Sequence, residues 1–232
     1  MIEKARELFR EARSLCVLTG AGVSAESGVP TFRGKDGLWK NHNPMELATW
    51  DAFTRDPKLV WEWYQWRRGL IRKCEPNPSH QAIRKMEEMK EDFLLITQNV
   101  DGLHRKAGTE KLVEIHGNIW EVRCVGCGWK EEVFDDFEVL PPRCGHCGEL
   151  LRPNVVWFGE AIPEDALRRS FEMLDRCDLL IVAGTSGVVQ PAASFAGYVL
   201  RRGGSVIEVN LEETPNTPFV TIFLKGKAGE VL

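Results

Sequence analysis

Leu15-Cys16-Val17-Leu18-Thr19 runs straight into Gly20-Ala21-Gly22-Val23-Ser24-Ala25, and this stretch decides the fold. A short apolar run bounded by glycine reads as a strand buried on both faces. The G-x-G-x-x-A turn after it opens a helix. Glycines there let the backbone approach a pyrophosphate, and a helix N-terminus favours its negative charge. Similar runs recur at 93–97, 178–183, 205–209 and 219–224, with helical periodicity at 2–13, 79–91 and 163–176. Strands alternating with helices predict an α/β fold with a Rossmann-like parallel sheet covered on both sides. The acidic residue that a dehydrogenase carries about 20 positions later is missing. A polar Gly/Lys/Asp loop at 33–43 and an aromatic helix at 57–73 stand there instead.

Two segments interrupt the alternation. Residues 35–78 read as a small helical insertion bounded by Gly34 and by Pro76 and Pro78, and residues 119–152 as a zinc-binding module. The expected sheet domain is therefore discontinuous: 1–34, 79–118 and 153–232. The second interruption holds two C-x-x-C pairs, Cys124/Cys127 and Cys144/Cys147. Each knuckle places two thiolates on one turn, and four protein ligands complete a tetrahedral Zn²⁺ shell with no position left for water, so the metal is structural. The remaining cysteines, Cys16, Cys74 and Cys177, read as small buried hydrophobes. An odd total with a clustered four points to a reducing compartment.

Composition excludes several classes. Hydrophobic residues make up 43% and charged residues 28%, which is ordinary for a globular chain. No apolar run approaches the roughly 18 residues that would span a bilayer. The N-terminus is rich in glutamate, unlike a secretory or transit signal. Thirty basic against 34 acidic residues, with no basic block, give no footprint for nucleic acid. The expectation is a cytoplasmic, monomeric protein. The abrupt end at Leu232 suggests that a further helix would follow.

Thr97-Gln98-Asn99-Val100-Asp101-Gly102-Leu103-His104 follows a predicted strand, where doubly wound sheets bind ligands. Its amides and carboxylate can orient a ribose or a carboxamide, although a capped turn would use the same residues. His104 reads as a helix-surface residue. His116 sits where the chain enters the zinc module, beside the nucleotide site.

Taken in order, GAGVSAESGVPTFRG at 20–34, TQNVDGLH at 97–104, His116-Gly117, four cysteines, Gly184-Thr185-Ser186 and Val209-Asn210 resemble the sirtuins. Those are NAD-dependent protein lysine deacylases, and the match runs from about residue 15 to 229. The resemblance implies that Gly20, Ala21 and Gly22 cradle the NAD phosphates, and that Phe32 and Arg33 belong to a loop closing over the cofactor. Gln98, Asn99, Val100 and Asp101 would surround the nicotinamide end. Gly184, Thr185, Ser186, Asn210 and Ala228 would hold the adenosine side, with Glu26 also placed at the cofactor. It further implies His116 as general base, with Asn99 beside it in catalysis. The acyl oxygen would attack the ribose as nicotinamide leaves, giving free lysine and 2′-O-acyl-ADP-ribose. An unperturbed imidazole pKa near about 6.5 would suit that base.

Helix 57–73 shows a stripe of Leu59, Trp63, Trp66 and Leu70, read as its core face. Tyr64 and Arg67 lie on an adjacent face. Their Y-x-x-R spacing resembles the sirtuins that remove succinyl, malonyl or glutaryl groups, in which the pair binds the distal carboxylate. A planar guanidinium suits that ligand. Ala48 matches the small residue that enlarges the acyl pocket. Val156, Trp157, Phe158, Gly159 and Glu160 match the segment that pairs with the acylated-lysine protein substrate as an added strand. The expected activity is removal of succinyl, malonyl and acetyl groups. One rival is a sirtuin-like mono-ADP-ribosyltransferase; another is a zinc-ribbon module without enzymatic activity.

Overall fold

The structure, a computed structural model, describes residues 1–31 and 43–232. Helix α1 (Ile2–Glu11) leads into β1 (Ser14–Thr19) and the five-residue α2 (Ala21–Ala25). Then come α3 (Pro44–Leu47), α4 (Trp50–Arg55), α5 (Pro57–Ile71), α6 (Pro78–Met89), β2 (Asp92–Thr97), α7 (Leu103–Lys106) and β3 (Leu112–Glu114). Strands β4 (Gly117–Cys124), β5 (Lys130–Glu132) and β6 (Leu151–Val155) follow. The chain finishes with α8 (Glu164–Leu174), β7 (Leu179–Ala183), α9 (Phe195–Arg201), β8 (Ser205–Asn210), β9 (Ile222–Lys225) and α10 (Ala228–Val231).

The main sheet has the order β3-β2-β1-β7-β8-β9, and every neighbouring pair is parallel. All six residues of β1 are buried, because side chains alternate between two covered faces. Leu15 and Val17 pack toward α1 and α6; Cys16 and Leu18 pack toward α8 and α9. The order reverses between β1 and β7, so the chain crosses from β1 toward β2 on one side and from β7 toward β8 on the other. The crevice at that point, beyond the strand carboxyl ends, is where open α/β sheets bind ligands.

The second body is built from both interruptions together. Strands β5-β4-β6 form a small antiparallel sheet, and α5 lies against it. Helix α5 starts where Asp56 Oδ1 accepts the Leu59 amide (2.9 Å), with Pro57 at its first turn. It is pinned to β6 by Trp61 Nε1 donating to Leu151 O (2.8 Å). The helical insertion and the zinc module thus share one apolar core. Strands β4 and β6 also extend a few residues beyond the expected 119–152, to Gly117 and Val155.

Three expectations are corrected. The buried stripe of α5 is Val60, Tyr64, Arg67 and Ile71, with Trp61, Trp63 and Arg68 at its edges. Leu59 and Trp66 are each 45% exposed. The helix is turned by about one residue from the sequence reading, because aromatic and arginine side chains fill the interface with the small sheet. His104 is not on the surface: it is 2% exposed and its ring packs at a tilt against that of His80. The run at 219–224 enters the sheet only at Ile222, leaving Phe219 exposed.

Candidate active site

The turn after β1 and the loop after β7 meet at backbone contact. Gly22 N donates to Gly184 O (2.8 Å), and Gly20 N to Ala183 O (3.1 Å). A Cβ on Gly20 or Gly22 would come within 2.8 Å of the Gly184 backbone. Gly184 itself has φ +60, and a Cβ there would lie 2.5 Å from Val23 N. These glycines are required by the loop-to-loop packing, a demand separate from the approach of a phosphate expected of the Gly20–Gly22 turn.

The loop after β2 braces the same place. Gln98 Nε2 donates to Thr185 Oγ1 (3.0 Å), and Asn99 Nδ2 to Gly20 O (3.0 Å) and Ser24 Oγ (3.1 Å). From β8, Asn210 Nδ2 donates to Thr185 O (3.0 Å). His116, in the turn between β3 and β4, directs Nδ1 at Gln98 O (3.1 Å). That nitrogen carries the proton, because a carbonyl only accepts, and Nε2 is left as the basic atom. Burial pulls this imidazole below its ordinary pKa, partly opposed by the Gln98 contact. The ring is therefore neutral at neutral pH, a more completely deprotonated base than the unperturbed histidine expected from sequence.

These loops open onto a cleft of about 630 Å³ between the sheet and the small lobe, within the range of small-molecule sites. Gly20, Ala21, Gly22, Gln98, Asn99, Val100, His116, Gly184, Thr185, Ser186 and Asn210 line it. So do Ala48, Tyr64, Arg67 and the segment Val156–Glu160. Glu26, Asp101 and Ala228 do not line it. Glu26 instead accepts the Gly229 amide (3.0 Å) at the start of α10, and Ala228 is in the core beside it. Asp101 is 6% exposed and accepts the Leu103 amide (2.9 Å); burial pushes its carboxyl up. Phe32 and Arg33 lie outside the described residues. The sequence reading missed Trp63, Ile162, Val189, Gln190 and the run Leu211–Thr214, all of which line the cleft. The rule that ligands gather at strand carboxyl ends could have flagged the residues after β7 and β8.

On the acyl side, Tyr64 is buried and its hydroxyl accepts from Trp157 Nε1 (2.9 Å). The Arg67 guanidinium lies 4.9 Å from the Trp63 ring centre and 5.8 Å from that of Tyr64. Burial raises the Tyr64 pKa and lowers that of Arg67. The segment 156–160 is already largely paired within the protein. Val156 N donates to His116 O and Phe158 N to Ala48 O, while Trp157 N reaches the Glu160 carboxylate. Glu160 is bonded by Arg152 on both oxygens, so its carboxylate serves the fold of this segment. Phe158 and Gly159 are its exposed members.

In the small lobe the sulfurs of Cys124, Cys127, Cys144 and Cys147 lie within 4.8 Å of one another. A tetrahedral zinc shell with bonds of about 2.3 Å needs sulfurs about 3.8 Å apart. Cys127 and Cys144 are at 3.8 Å and Cys124 and Cys147 at 3.3 Å. The Cys127 and Gly126 amides point at Cys124 Sγ (3.4 Å each), as they would at a thiolate ligand. The donor set fits one structural zinc.

The chain is similar over residues 20–191 to the Sir2 family model. It is 52% identical to an NAD-dependent protein deacylase of Thermococcus kodakarensis, over all of this chain and 93% of that one. It is 56% identical to one of Aquifex aeolicus, over 94% and 92% of the two chains. Among solved structures, a Sir2 homolog–NAD complex superposes with TM-score 0.93 at 51% identity, covering 99% of this chain and 90% of that one. A Sir2–p53 peptide–NAD⁺ complex superposes with TM-score 0.89 at 36% identity, covering 99% and 95%. With the reversed parallel sheet, the cleft at its switch point and the four-cysteine lobe, these matches show that the chain belongs to the Sir2 family.

Proposed function

We propose that the protein is an NAD-dependent protein-lysine deacylase that accepts acyl groups ending in a carboxylate, succinyl and malonyl, alongside acetyl. The observation that carries this reading is one cleft lined by the Gly20–Gly22 turn, His116, Tyr64 and Arg67. Bound NAD supplies an electrophilic ribose carbon with nicotinamide as its leaving group. The glycine turn and the loops ending in Ser186 and Asn210 would hold its phosphates and adenosine. His116, with Nδ1 committed to Gln98 O, would take a proton at Nε2 from a ribose hydroxyl. Tyr64 and Arg67 would face the distal carboxylate, for which a guanidinium is the natural partner. Phe158 and Gly159 would contact the substrate peptide.

The test is Arg67→Met, assayed on matched succinyl- and acetyl-lysine peptides with and without NAD. Leaving a buried carboxylate without its cation costs about 3 kcal/mol or more, so the succinyl-to-acetyl ratio of kcat/KM should fall at least about 10²-fold. An unchanged ratio would defeat the acyl assignment. ADP-ribose added to protein, with no acyl group lost from lysine, would favour the transferase reading instead.

A further inference from the structure

Trp157 is held by polar contacts as well as by packing. Its ring lies beneath the Arg152 guanidinium, 3.4 Å from carbon to ring centre, and beside Phe53 at 5.3 Å. Arg152 is 1% exposed and held by both oxygens of Glu160 (2.5 and 2.9 Å) and by Val155 O (2.9 Å). Glu160 also accepts the Trp157 amide (2.9 Å). The indole is thus fixed at its backbone and on one face, and from there its Nε1–H reaches Tyr64 Oη at 2.9 Å.

That bond constrains a proton. A phenol hydroxyl has one donor hydrogen and two acceptor lone pairs, whereas an indole N–H only donates. Conjugation keeps the O–H near the plane of its ring, so two orientations compete. Accepting from Trp157 on one side puts the hydroxyl proton on the other. Arg67, the other member of the Y-x-x-R pair, also has donors and no acceptor. The Glu160 oxygens are engaged by Arg152 and the Trp157 amide. The hydroxyl proton is therefore suited to an acceptor brought in by the substrate, and a carboxylate oxygen is one.

We propose that Trp157 is a specificity-determining positioning residue, whose indole N–H turns the Tyr64 hydroxyl proton toward the distal carboxylate of the acyl chain. The inference rests on the reading of Tyr64 and Arg67 as the carboxylate-binding pair. Acetyl-lysine offers no such acceptor, so the consequence is selectivity rather than turnover in general.

The experiment is a double-mutant cycle on Trp157→Phe and Tyr64→Phe, reading the succinyl-to-acetyl ratio of kcat/KM on matched peptides, with Arg67→Met as a third variant. Trp157→Phe should lower the ratio about three- to tenfold, the size of one hydrogen bond. Added to Tyr64→Phe it should lower the ratio no further, because the hydroxyl it orients is gone. Equal loss on both substrates, or additive loss of the ratio in the double variant, would overturn the proposal and leave Trp157 a packing residue. If Arg67→Met leaves the ratio unmoved, the carboxylate pair itself is wrong and the proposal falls with it. Should thermal melting show Trp157→Phe to be unfolded, 3-benzothienylalanine at 157 keeps the bicyclic ring under Arg152 and deletes only the N–H. The same fall in ratio is then expected, and its absence overturns the proposal.

Discussion

His116 owes its expected role to a single contact, the bond from Nδ1 to Gln98 O, which leaves Nε2 basic. His116→Ala should reduce deacylation by about 10²–10⁴-fold, the usual contribution of a general base, while calorimetry still detects NAD binding. Retention of more than about a tenth of wild-type turnover, against that expected 10²-fold loss, would remove the assignment. Burial lowers this imidazole's pKa, so the acid limb of kcat/KM should fall below the ordinary histidine value of about 6.5. A limb at or above that value would show that another group controls the rate. At the same scale, Gly184→Ala introduces a Cβ 2.5 Å from Val23 N in a left-handed backbone conformation. The two loops would part, and NAD affinity should drop more than peptide affinity.

The element most exposed to loss of metal is the small sheet. Strand β5 has three exposed residues and, among the described residues, pairs with β4 alone. The turns that carry the cysteines are held by backbone bonds such as Cys124 N to Trp129 O (2.8 Å) and Cys144 N to Glu149 O (2.8 Å), and Cys127 and Cys147 are exposed. Cys124→Ser, or chelation of the metal, should melt these turns first, because zinc binding and local folding are one equilibrium. Helix α5 packs on the same core, so Tyr64 and Arg67 should lose their positions and deacylation should fail indirectly. Hydrogen exchange would check the order: amides of β4–β6 should exchange early while β1 and β7 remain protected. Simultaneous loss of protection in both sheets would refute this division.

Across the whole molecule, the two bodies are joined by an ion cluster. Arg105, from α7, pairs with Glu114 of β3 and with Glu121 (3.1 Å) and Glu132 (3.6 Å) of the small sheet. Burial pushes Glu114 up to about 7, despite Arg105 and the Asn118 amide at 2.7 Å. An unfolded chain releases that proton near about 4.3. Between these values the native state holds more protons than the unfolded one, so stability falls as pH rises. The span from that unfolded value to about 7 corresponds to roughly 4 kcal/mol. Glu114→Gln should flatten this part of the stability profile in urea titrations. An unchanged slope would assign the pH dependence to other groups.

The sequence by itself determined the alternating strands and helices, the glycine turn, the cysteine quartet and the motifs that resemble the sirtuins. Each is local: burial on two faces demands continuous apolar runs, and four thiolates need two tight turns. The orientation of α5 was decided only by tertiary packing. One-dimensional periodicity favoured Leu59 and Trp66, but the core accepted Val60, Tyr64 and Arg67, because a surface shaped by β4 and β6 was there to receive them. His104 was hidden for the same reason, since nothing near it in sequence announces His80 as its packing partner. The bond from Trp157 to Tyr64 spans 93 positions. Contacts of that kind depend on how separate elements meet, and spacing along the chain does not encode them.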